Sequence, residues 1–358
     1  MNIVMITNMY SVGGGERNLI ELADELHNDN NVIVLVPKHG GITDALDEKG
    51  IDYKLLQSNV FDNKYNLGKL FFEAYNVAQF IKNQEGHVDV VHSNSTRCIV
   101  FGKLLSIFLN AKTVWTCHGP WEVPSRIKSI AYRFCLDAVV SITPEINDML
   151  NFSRQFMVPL GITPFMSENL NENKSGRIKL LCVARWQYIK GQDILLRALC
   201  QIRMLGYSVE LHFMGGFLTD NQLDREYYHE CKNYIEKYGL EENVYIHGHV
   251  ADVREHLMKY DVLCIPSRYE SFSIALLEGM QSGMYVIAPN IGGPSYIVED
   301  MVSGILFNAG SVDDLVNKIV DVIDKKIVLD VNKIRFRASH FTIHQQCKKM
   351  LEVYQAII

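Results

Sequence analysis

Short apolar runs that are typical of buried strands alternate with helical patterns along almost the whole chain. In the first half these runs cover residues 3–7, 32–36, 88–92, 113–117 and 139–143. In the second half they cover residues 180–183, 209–214, 244–247, 262–265, 285–288 and 305–307. Strands that alternate with helices in this way form parallel sheets with helices on their faces. The chain is therefore predicted to belong to the α/β class.

A chain of 358 residues exceeds the usual size of a single hydrophobic core, so we expect two domains. The alternation stops between residues 159 and 177, where Pro, Gly, Asn, Ser and Glu give the composition of a linker. We predict Rossmann-like domains over residues 1–160 and 178–340, with a linker over residues 161–177. The helical segment that ends the chain, residues 341–358, is expected to pack back on the first domain. Parallel sheets bind ligands at the carboxyl ends of their strands, so the domains are expected to face a cleft.

The composition argues against several classes of protein. Hydrophobic residues make up 48% and charged residues 21%, as in ordinary soluble proteins, and a net charge of −6 argues against nucleic-acid binding. The eight cysteines form no C-x-x-C motif, so neither a zinc site nor a disulfide framework is expected. The chain begins with a strand-like run instead of a basic leader, and no apolar stretch reaches about 18 residues. We therefore expect a cytoplasmic protein that is neither exported nor membrane-spanning.

The segment 95–136 differs from the rest of this acidic chain because it is basic. Its only acidic residue is Glu122, and its six basic residues leave a net charge of +5 (six minus one); they are Arg97, Lys103, Lys112, Arg126, Lys128 and Arg133. Large apolar residues such as Phe101, Phe108 and Trp121 are interleaved with them. Such a segment fits the anionic headgroups of an inner membrane leaflet, and a solvated basic face over a packed core is the alternative.

The segment from Pro266 to Glu278 joins the end of a strand, a turn and the start of a helix. Proline cannot continue a central strand, so Pro266 ends the run that precedes it. Ser271 and Ser273 are suitable N-caps for a buried helix that Gly283 closes. A helix that begins at such a loop points backbone N–H groups outward, which favours a phosphate as ligand.

Two glutamates of this segment, Glu270 and Glu278, lie eight positions apart. On a continuous helix they would be separated by roughly 12 Å. The acid and base of glycosidases are only about 5 to 9.5 Å apart. The pair is therefore expected to bind the two ends of a long ligand, such as a nucleotide sugar. Because the chain has 41 acidic residues, a chance spacing is the alternative.

Glycines follow the first predicted strand as well. Gly13, Gly14 and Gly15 lie where a loop opens a helix, and glycines there let the backbone approach a ligand closely. The dinucleotide fingerprint is incomplete, because Asn18 stands where its third glycine belongs. Binding of a nicotinamide dinucleotide is therefore not expected.

Two cations, Arg185 and Lys190, lie in the loop after the first strand of the second predicted domain. Arginine offers a planar fork of donors and lysine a point charge, a combination that suits a diphosphate. Ordinary surface cations are the alternative interpretation. The loop lies at the same sheet edge as Glu270, which favours the diphosphate.

His118 and Gly248 also follow predicted strands. His118 comes after the strand that ends in Cys117, where it is placed to donate to a sugar hydroxyl or to developing charge. A structural histidine bonded to backbone is the alternative. Gly248 lies between His247 and His249 and allows the close approach of a flat base.

Together these residues resemble the retaining glycosyltransferases of the GT-B fold, in glycosyltransferase family 4, also described as glycosyl transferases group 1. The family is marked by two glutamates with seven residues between them, which Glu270 and Glu278 match. The resemblance spans nearly the whole chain. It implies two Rossmann-like domains facing a cleft, the first on the acceptor side and the second binding a nucleotide sugar, with a C-terminal helix that crosses back to the first domain.

The resemblance implies how the donor would be bound. Arg185 and Lys190 would bind the diphosphate of a UDP- or GDP-sugar. The backbone N–H groups of Ser271, Phe272 and Ser273 would assist them at the start of the helix.

The resemblance also implies roles for three other side chains. Glu278 would hold the ribose, Glu270 would contact the donor sugar near its reacting face, and His118 would contact a sugar hydroxyl or the acceptor. Transfer would retain the anomeric configuration, and the leaving diphosphate would accept the proton of the acceptor. No metal cofactor is implied, because the two cations supply the positive charge at the departing phosphate.

The implied acceptor is a saccharide or a lipid-linked saccharide, in the biosynthesis of a surface polysaccharide or a glycolipid. Tyr296, Leu160 and Ala184 depart from the usual family pattern, and the sequence does not distinguish a uridine from a guanosine donor. Two alternatives stay open: a non-hydrolysing UDP-sugar epimerase of the same architecture, and a non-catalytic partner of a polysaccharide enzyme.

Overall fold

The computed structural model describes residues 1–57, 60–61, 67–165, 177–217 and 221–358. Residues 166–176 of the predicted linker lie outside the described residues. The chain divides into two compact units, one formed by Met1–Thr163 with Thr342–Ile358 and the other by Pro164–Phe341. None of the described helices is both long enough and apolar enough to cross a membrane.

In the described part of the first unit, seven strands form one parallel sheet. The strands are β1 (Asn2–Ile6), β2 (Asn31–Val36), β3 (Asp52–Leu55), β4 (Val90–Ser93), β5 (Lys112–Cys117), β6 (Ala138–Ser141) and β7 (Gln155–Met157). The helices between them are α1 (Gly14–His27), α2 (Gly41–Lys49), α3 (Leu67–Glu85), α4 (Ile99–Leu109), α5 (Arg126–Cys135) and α6 (Pro144–Met149). The strand order is β3-β2-β1-β4-β5-β6-β7, so the direction of winding reverses between β1 and β4.

Both faces of this sheet are buried, as the uninterrupted apolar runs predict for a parallel sheet. Successive residues of β1 alternate between the two faces. Ile3 and Met5 belong to one core cluster, while Val4 and Ile6 belong to the other. Helices therefore cover the sheet on both sides.

Among the described residues of the second unit, six strands form a second parallel sheet. The strands are β8 (Ile178–Val183), β9 (Val209–Met214), β10 (Val244–Ile246), β11 (Val262–Cys264), β12 (Tyr285–Pro289) and β13 (Ile305–Phe307). The helices are α7 (Gln192–Met204), α8 (Gln222–Lys237), α9 (Ile274–Ser282), α10 (Gly293–Ile297), α11 (Val312–Ile323) and α12 (Val331–Ala338). The order β10-β9-β8-β11-β12-β13 places the reversal between β8 and β11. The prediction of two parallel-sheet α/β folds is confirmed.

The last helix, α13 (Ile343–Gln355), packs against α1 in the first unit, which confirms that the chain returns there. Its residues Met350, Val353 and Tyr354 join the core on that face of the sheet. The Tyr354 hydroxyl lies 2.7 Å from Nδ1 of His92 on β4. Burial, together with the nearby His118, lowers the pKa of His92 to about 3. His92 is therefore neutral at physiological pH.

A buried amide network fixes α13 on α1. The Asn18 side-chain amide donates to Oε1 of Gln346 at 2.8 Å and to the Gly161 carbonyl at 2.8 Å. Gln346 donates in return to Oδ1 of Asn18 at 2.9 Å, and its Oε1 accepts the Gly161 N–H at 2.6 Å. Buried amides are stable only when they are paired in this way.

We predict that Gln346→Ala lowers the free energy of unfolding by about 1–3 kcal/mol, because buried donors of Asn18 and Gly161 lose their acceptor. Urea denaturation measures the difference. Gln345→Ala is the matched control, since Gln345 is exposed on the same helix. Equal losses for the two variants would contradict a stabilising role for the amide network.

Candidate functional site

The loop between β11 and α9 carries the glutamate that the sequence singles out. The strand ends at Cys264, and α9 begins only at Ile274, with Ser273 as its N-cap and Gly283 as its C-cap. Glu270 therefore lies in the loop, and its sequence-based separation from Glu278, which assumed a continuous helix, does not apply. Glu278 lies on α9 itself and is only 3% exposed.

Glu270 forms an ion pair with Lys190 across two loops. The Lys190 Nζ lies 2.7 Å from Oε2 of Glu270, and the two side chains are 20% and 11% exposed. The Ser267 hydroxyl donates to the same carboxylate oxygen at 3.1 Å. Because β8 and β11 are neighbours at the reversal of strand order, the loops that follow them meet. The sequence predicts both charged residues, but not their pairing and not the contribution of Ser267.

Two glycines before α10 allow the backbone there to approach the loop of Glu270 closely. Gly292 has φ of +62°, and a Cβ on it would lie 2.2 Å from the Glu270 carbonyl oxygen. A Cβ on Gly293 would lie 2.3 Å from Cα of Phe272. The Gly293 N–H donates to the Glu270 carbonyl at 2.8 Å. The turn before α10 therefore supports the backbone that presents Glu270.

The backbone at the start of α9 has a strained conformation, and side-chain contacts fix it. Ser273 has φ of +85° and ψ of +90°, a conformation that residues other than glycine rarely adopt. Its hydroxyl accepts the Leu276 N–H at 3.4 Å. Phe272 is buried and packs edge to face on Phe341, with 6.0 Å between ring centroids. Strain of this kind persists where surrounding packing fixes it, and it is common at functional sites. The half-buried Ser271 lies on the same turn.

Arg185 and Gly248 lie in the loops after β8 and β10, on either side of the loop that follows β9. The Arg185 carbonyl accepts a hydrogen bond from the buried side-chain amide of Gln192 at 2.8 Å. The Gly215 N–H, in the loop after β9, donates to the Gly248 carbonyl at 2.7 Å. Gly248 has φ of +70°, and a Cβ there would meet no described atom within 4 Å. The carboxyl ends of β8, β9 and β10 thus form one edge.

In the first unit, His118 lies at the carboxyl end of β5 as predicted. Its Nε2 is 3.0 Å from Oδ1 of Asn94, and its backbone N–H donates to the Glu122 carboxylate at 2.7 Å. The other Glu122 oxygen accepts the Thr96 N–H at 3.2 Å. Because an amide oxygen only accepts, Nε2 carries the proton in this arrangement. Neither Asn94 nor Glu122 was predicted as a partner of His118, although Asn94 directly follows β4.

The glycine loop of the first unit opens α1, which begins at Gly14. The Gly13 N–H donates to the Glu16 carboxylate at 3.1 Å. A Cβ on Gly15 would meet nothing within 4 Å among the described residues, so its surroundings are open. Neither this loop nor the rest of the described chain contains a group of three or more His, Cys, Asp or Glu residues that could hold a metal ion.

Comparison with known proteins gives two family matches. Residues 12–155 match the family model of Glycosyltransferase Family 4, and residues 167–336 match that of Glycosyl transferases group 1. The solved structure of HepE from Anabaena, in complex with UDP and glucose, superimposes with a TM-score of 0.85. It is 20% identical in sequence and covers 99% of this chain and 100% of that chain. This likeness confirms the predicted GT-B fold.

Two curated relatives illustrate the sequence similarity. The capsular polysaccharide biosynthesis glycosyltransferase CapH of Staphylococcus aureus is 22% identical over an alignment that covers 99% of each chain. The UDP-Gal:alpha-D-GlcNAc-diphosphoundecaprenol alpha-1,3-galactosyltransferase of Escherichia coli is 27% identical over 124 residues. That alignment covers 34% of this chain and 32% of the relative.

We predict that Gly292→Ala destabilises the protein at least twice as much as Gly310→Ala. Both glycines have positive φ, +62° and +81°, so both variants bear the conformational penalty of about 1–2 kcal/mol. A Cβ at Gly310 meets no described atom within 4 Å, whereas one at Gly292 clashes with the Glu270 carbonyl. Urea denaturation measures both losses. Equal losses in the two variants would contradict the close approach of Gly292 to the Glu270 carbonyl.

Proposed function

We propose a retaining sugar transfer for this chain, which belongs to the glycosyltransferases of family 4 and group 1. In this proposal the donor is a nucleotide diphosphate sugar. The complex of HepE with UDP and glucose favours uridine as the base of that donor. The observation that carries the proposal is the ion pair of Lys190 and Glu270, held at the junction of the loops after β8 and β11.

In this proposal Lys190 and Arg185 bind the diphosphate, with the N–H groups at the start of α9 around Ser271, Phe272 and Ser273. Lysine has three N–H donors, so Lys190 can bind a phosphate oxygen and keep its hydrogen bond to Glu270. Hydrogen bonds from Lys190 and Ser267 orient the Glu270 carboxylate. In this orientation it accepts a hydrogen bond from a hydroxyl of the donor sugar. A partly buried site strengthens these interactions relative to water.

The proposed transfer needs charge stabilisation more than a strong base. The bond between the anomeric carbon and the diphosphate oxygen breaks, and the acceptor oxygen bonds to the same face of that carbon. The acceptor proton passes to the departing diphosphate. Arg185 and Lys190 stabilise the negative charge that develops on this group, the kind of fixed electrostatic assistance that lowers a barrier most.

The remaining predicted residues take supporting roles in the proposal. Glu278, buried on α9, holds the ribose, and the open backbone at Gly248 accommodates the base. His118 contacts a sugar hydroxyl or the acceptor, and because Asn94 holds its Nε2, Nδ1 is the ring atom that we assign to the ligand. Gly13, Gly14 and Gly15 allow close approach in the first unit. The names of the two curated relatives support a saccharide or lipid-linked acceptor.

We predict that UDP or GDP raises the thermal midpoint of the protein by several degrees, and that Lys190→Ala removes most of this shift. A ligand at 100 times its dissociation constant stabilises by about 2.7 kcal/mol. Lys333→Ala, an exposed lysine of the second unit, is the control variant, and NAD is the control ligand. A shift with NAD alone, or an unchanged UDP and GDP response in Lys190→Ala, would overturn the assignment of the diphosphate site.

We propose further that the protein docks on the inner face of a membrane through α5. No residue of this helix is buried. Ile127, Ile130 and Phe134 are 83%, 57% and 80% exposed, and their spacing of three and four places them on one stripe. Trp121, just before the helix, is 67% exposed. We call these four residues the α5 stripe.

Charge beside the α5 stripe favours anionic lipid as its partner. Arg126, Lys128 and Arg133 are exposed on the same helix. On the opposite side Tyr132 packs edge to face on the buried Trp115, so the helix is held on the unit by that side. An amphipathic helix with aromatic and basic residues at its surface binds the boundary between headgroups and acyl chains. The alternative, a solvated basic face, does not account for the exposed apolar side chains of the α5 stripe.

We predict that the double variant Ile127→Ser/Phe134→Ser reduces binding to vesicles that contain phosphatidylglycerol by at least roughly tenfold, because each side chain gains about 1.5–3 kcal/mol when fully buried in an apolar phase. Vesicle co-sedimentation measures the partition coefficient. Phe336→Ser is the matched control, since Phe336 is 69% exposed in the second unit. Wild-type protein that stays in the supernatant, or equal losses in the variant and the control, would refute the docking surface.

A further inference from the structure

We infer that Arg268, held by Asp193, is a positioning residue that fixes the loop of Lys190 against the loop of Glu270. The inference rests on the proposed function, because it concerns the geometry of the proposed diphosphate site. The Arg268 side chain donates its hydrogen bonds to Tyr188 and Asp193, not to the side chains of Lys190 or Glu270. It acts on the backbone segments that carry them.

The centre of this lock is a two-pronged ion pair. Nη1 of Arg268 lies 2.8 Å from Oδ1 of Asp193, and Nη2 lies 2.7 Å from Oδ2. The two side chains are 25% and 17% exposed. Asp193 is the second residue of α7 and so has a fixed position. Parallel hydrogen bonds of this type fix orientation as well as distance.

Arg268 also binds the segment directly before Lys190. Its Nη1 donates to the Tyr188 carbonyl at 2.7 Å, and its guanidinium carbon lies 3.7 Å from the centroid of the Tyr188 ring. Its backbone N–H donates to the Ile189 carbonyl at 2.8 Å. Arg268 itself precedes Glu270 by two positions. One residue therefore joins the two loops through a side-chain fork, a stacked ring and a backbone hydrogen bond.

Gly191 adds a contact on the other side of Lys190. It has φ of +69°, and a Cβ on it would lie 2.1 Å from the Pro266 carbonyl oxygen. Ile189 and Gly191, on either side of Lys190, thus both contact the segment 266–268 that precedes Glu270. The lysine is held at its backbone from two directions.

Tyr227 of α8 completes the support for Asp193. Its hydroxyl donates to Oδ1 of Asp193 at 2.7 Å and accepts the Asp193 N–H at 3.0 Å. Burial alone disfavours the charged carboxylate, but hydrogen bonds from Arg268 and Tyr227 outweigh it and lower the pKa of Asp193. The Asp193 hydrogen bond likewise raises the pKa of Arg268. Both groups are therefore ionised throughout the physiological range.

The test is a double-mutant cycle on UDP affinity, measured by titration calorimetry. We expect Asp193→Asn, which keeps the shape and the Tyr227 hydrogen bond, to weaken UDP binding at least fivefold. In a Lys190→Ala background the same substitution should change affinity less than twofold, because the group that it positions is gone. Arg268→Lys should behave like Asp193→Asn, since lysine offers neither the fork nor the stacking plane. Equal effects of Asp193→Asn in both backgrounds would overturn the inference.

Arg197→Gln is the matched control, because Arg197 also lies near Asp193, at 3.6 Å, but is 57% exposed and belongs to α7. Its affinity for UDP should stay within twofold of wild type. A loss as large as that of Asp193→Asn would show that any disturbance of Asp193 weakens binding and would refute the specific lock.

Amide hydrogen exchange tests the lock without any ligand. Asp193→Asn should speed exchange in residues 188–193 and 266–271 and leave the β13 strand unchanged. Unchanged exchange in both loops would overturn the inference even if UDP binds. Wild-type protein that binds neither UDP nor GDP would instead overturn the proposed function, while the exchange result still decides the lock.

Discussion

The pairing of β8 with β11 is the constraint on which the second unit depends. Leu180 and Leu181 are in register with Val262 and Leu263, so two segments 82 positions apart in the chain (262 minus 180) end at the same edge. Once that register is set, the loops after the strands must share the space beyond it. The ion pair of Lys190 with Glu270 and the close contact of Gly191 with Pro266 are consequences of this adjacency. The contact of Gly292 with Glu270 follows from the next pairing in the sheet, that of β11 with β12.

In the first unit, neutral side chains form the contacts next to the reversal of strand order. Its reversal of strand order lies between β1 and β4, and β4 carries His92, Ser93 and then Asn94 toward the sheet edge. The buried His92 is kept uncharged and is bonded to Tyr354 and Thr116. The helix α13 thereby covers the middle of the sheet and links the end of the chain to the strand that precedes Asn94. Burial of a neutral histidine avoids the large cost of a buried charge.

The sequence predicted the central strands well, because a strand buried on both faces reads as an apolar run. It missed β3 and β7, which lie at the sheet edges and are only partly buried. For the site, loops after strands pointed to Lys190 and Glu270 individually. Their pairing could not be foreseen, because it depends on strand order, and the same holds for the bond between Arg268 and Asp193. The roles of these residues toward a ligand remain predictions.

The ion pair of Lys190 and Glu270 also bears on which anions the second unit accepts. The Lys190 ammonium has a carboxylate partner of this chain at 2.7 Å. An inorganic anion that binds Lys190 brings its negative charge close to that carboxylate, and the two like charges repel each other. A nucleotide sugar brings hydroxyl donors for Glu270 together with phosphate acceptors for Lys190. Under the proposed function, Glu270 therefore favours a nucleotide sugar over the abundant small anions of a cell.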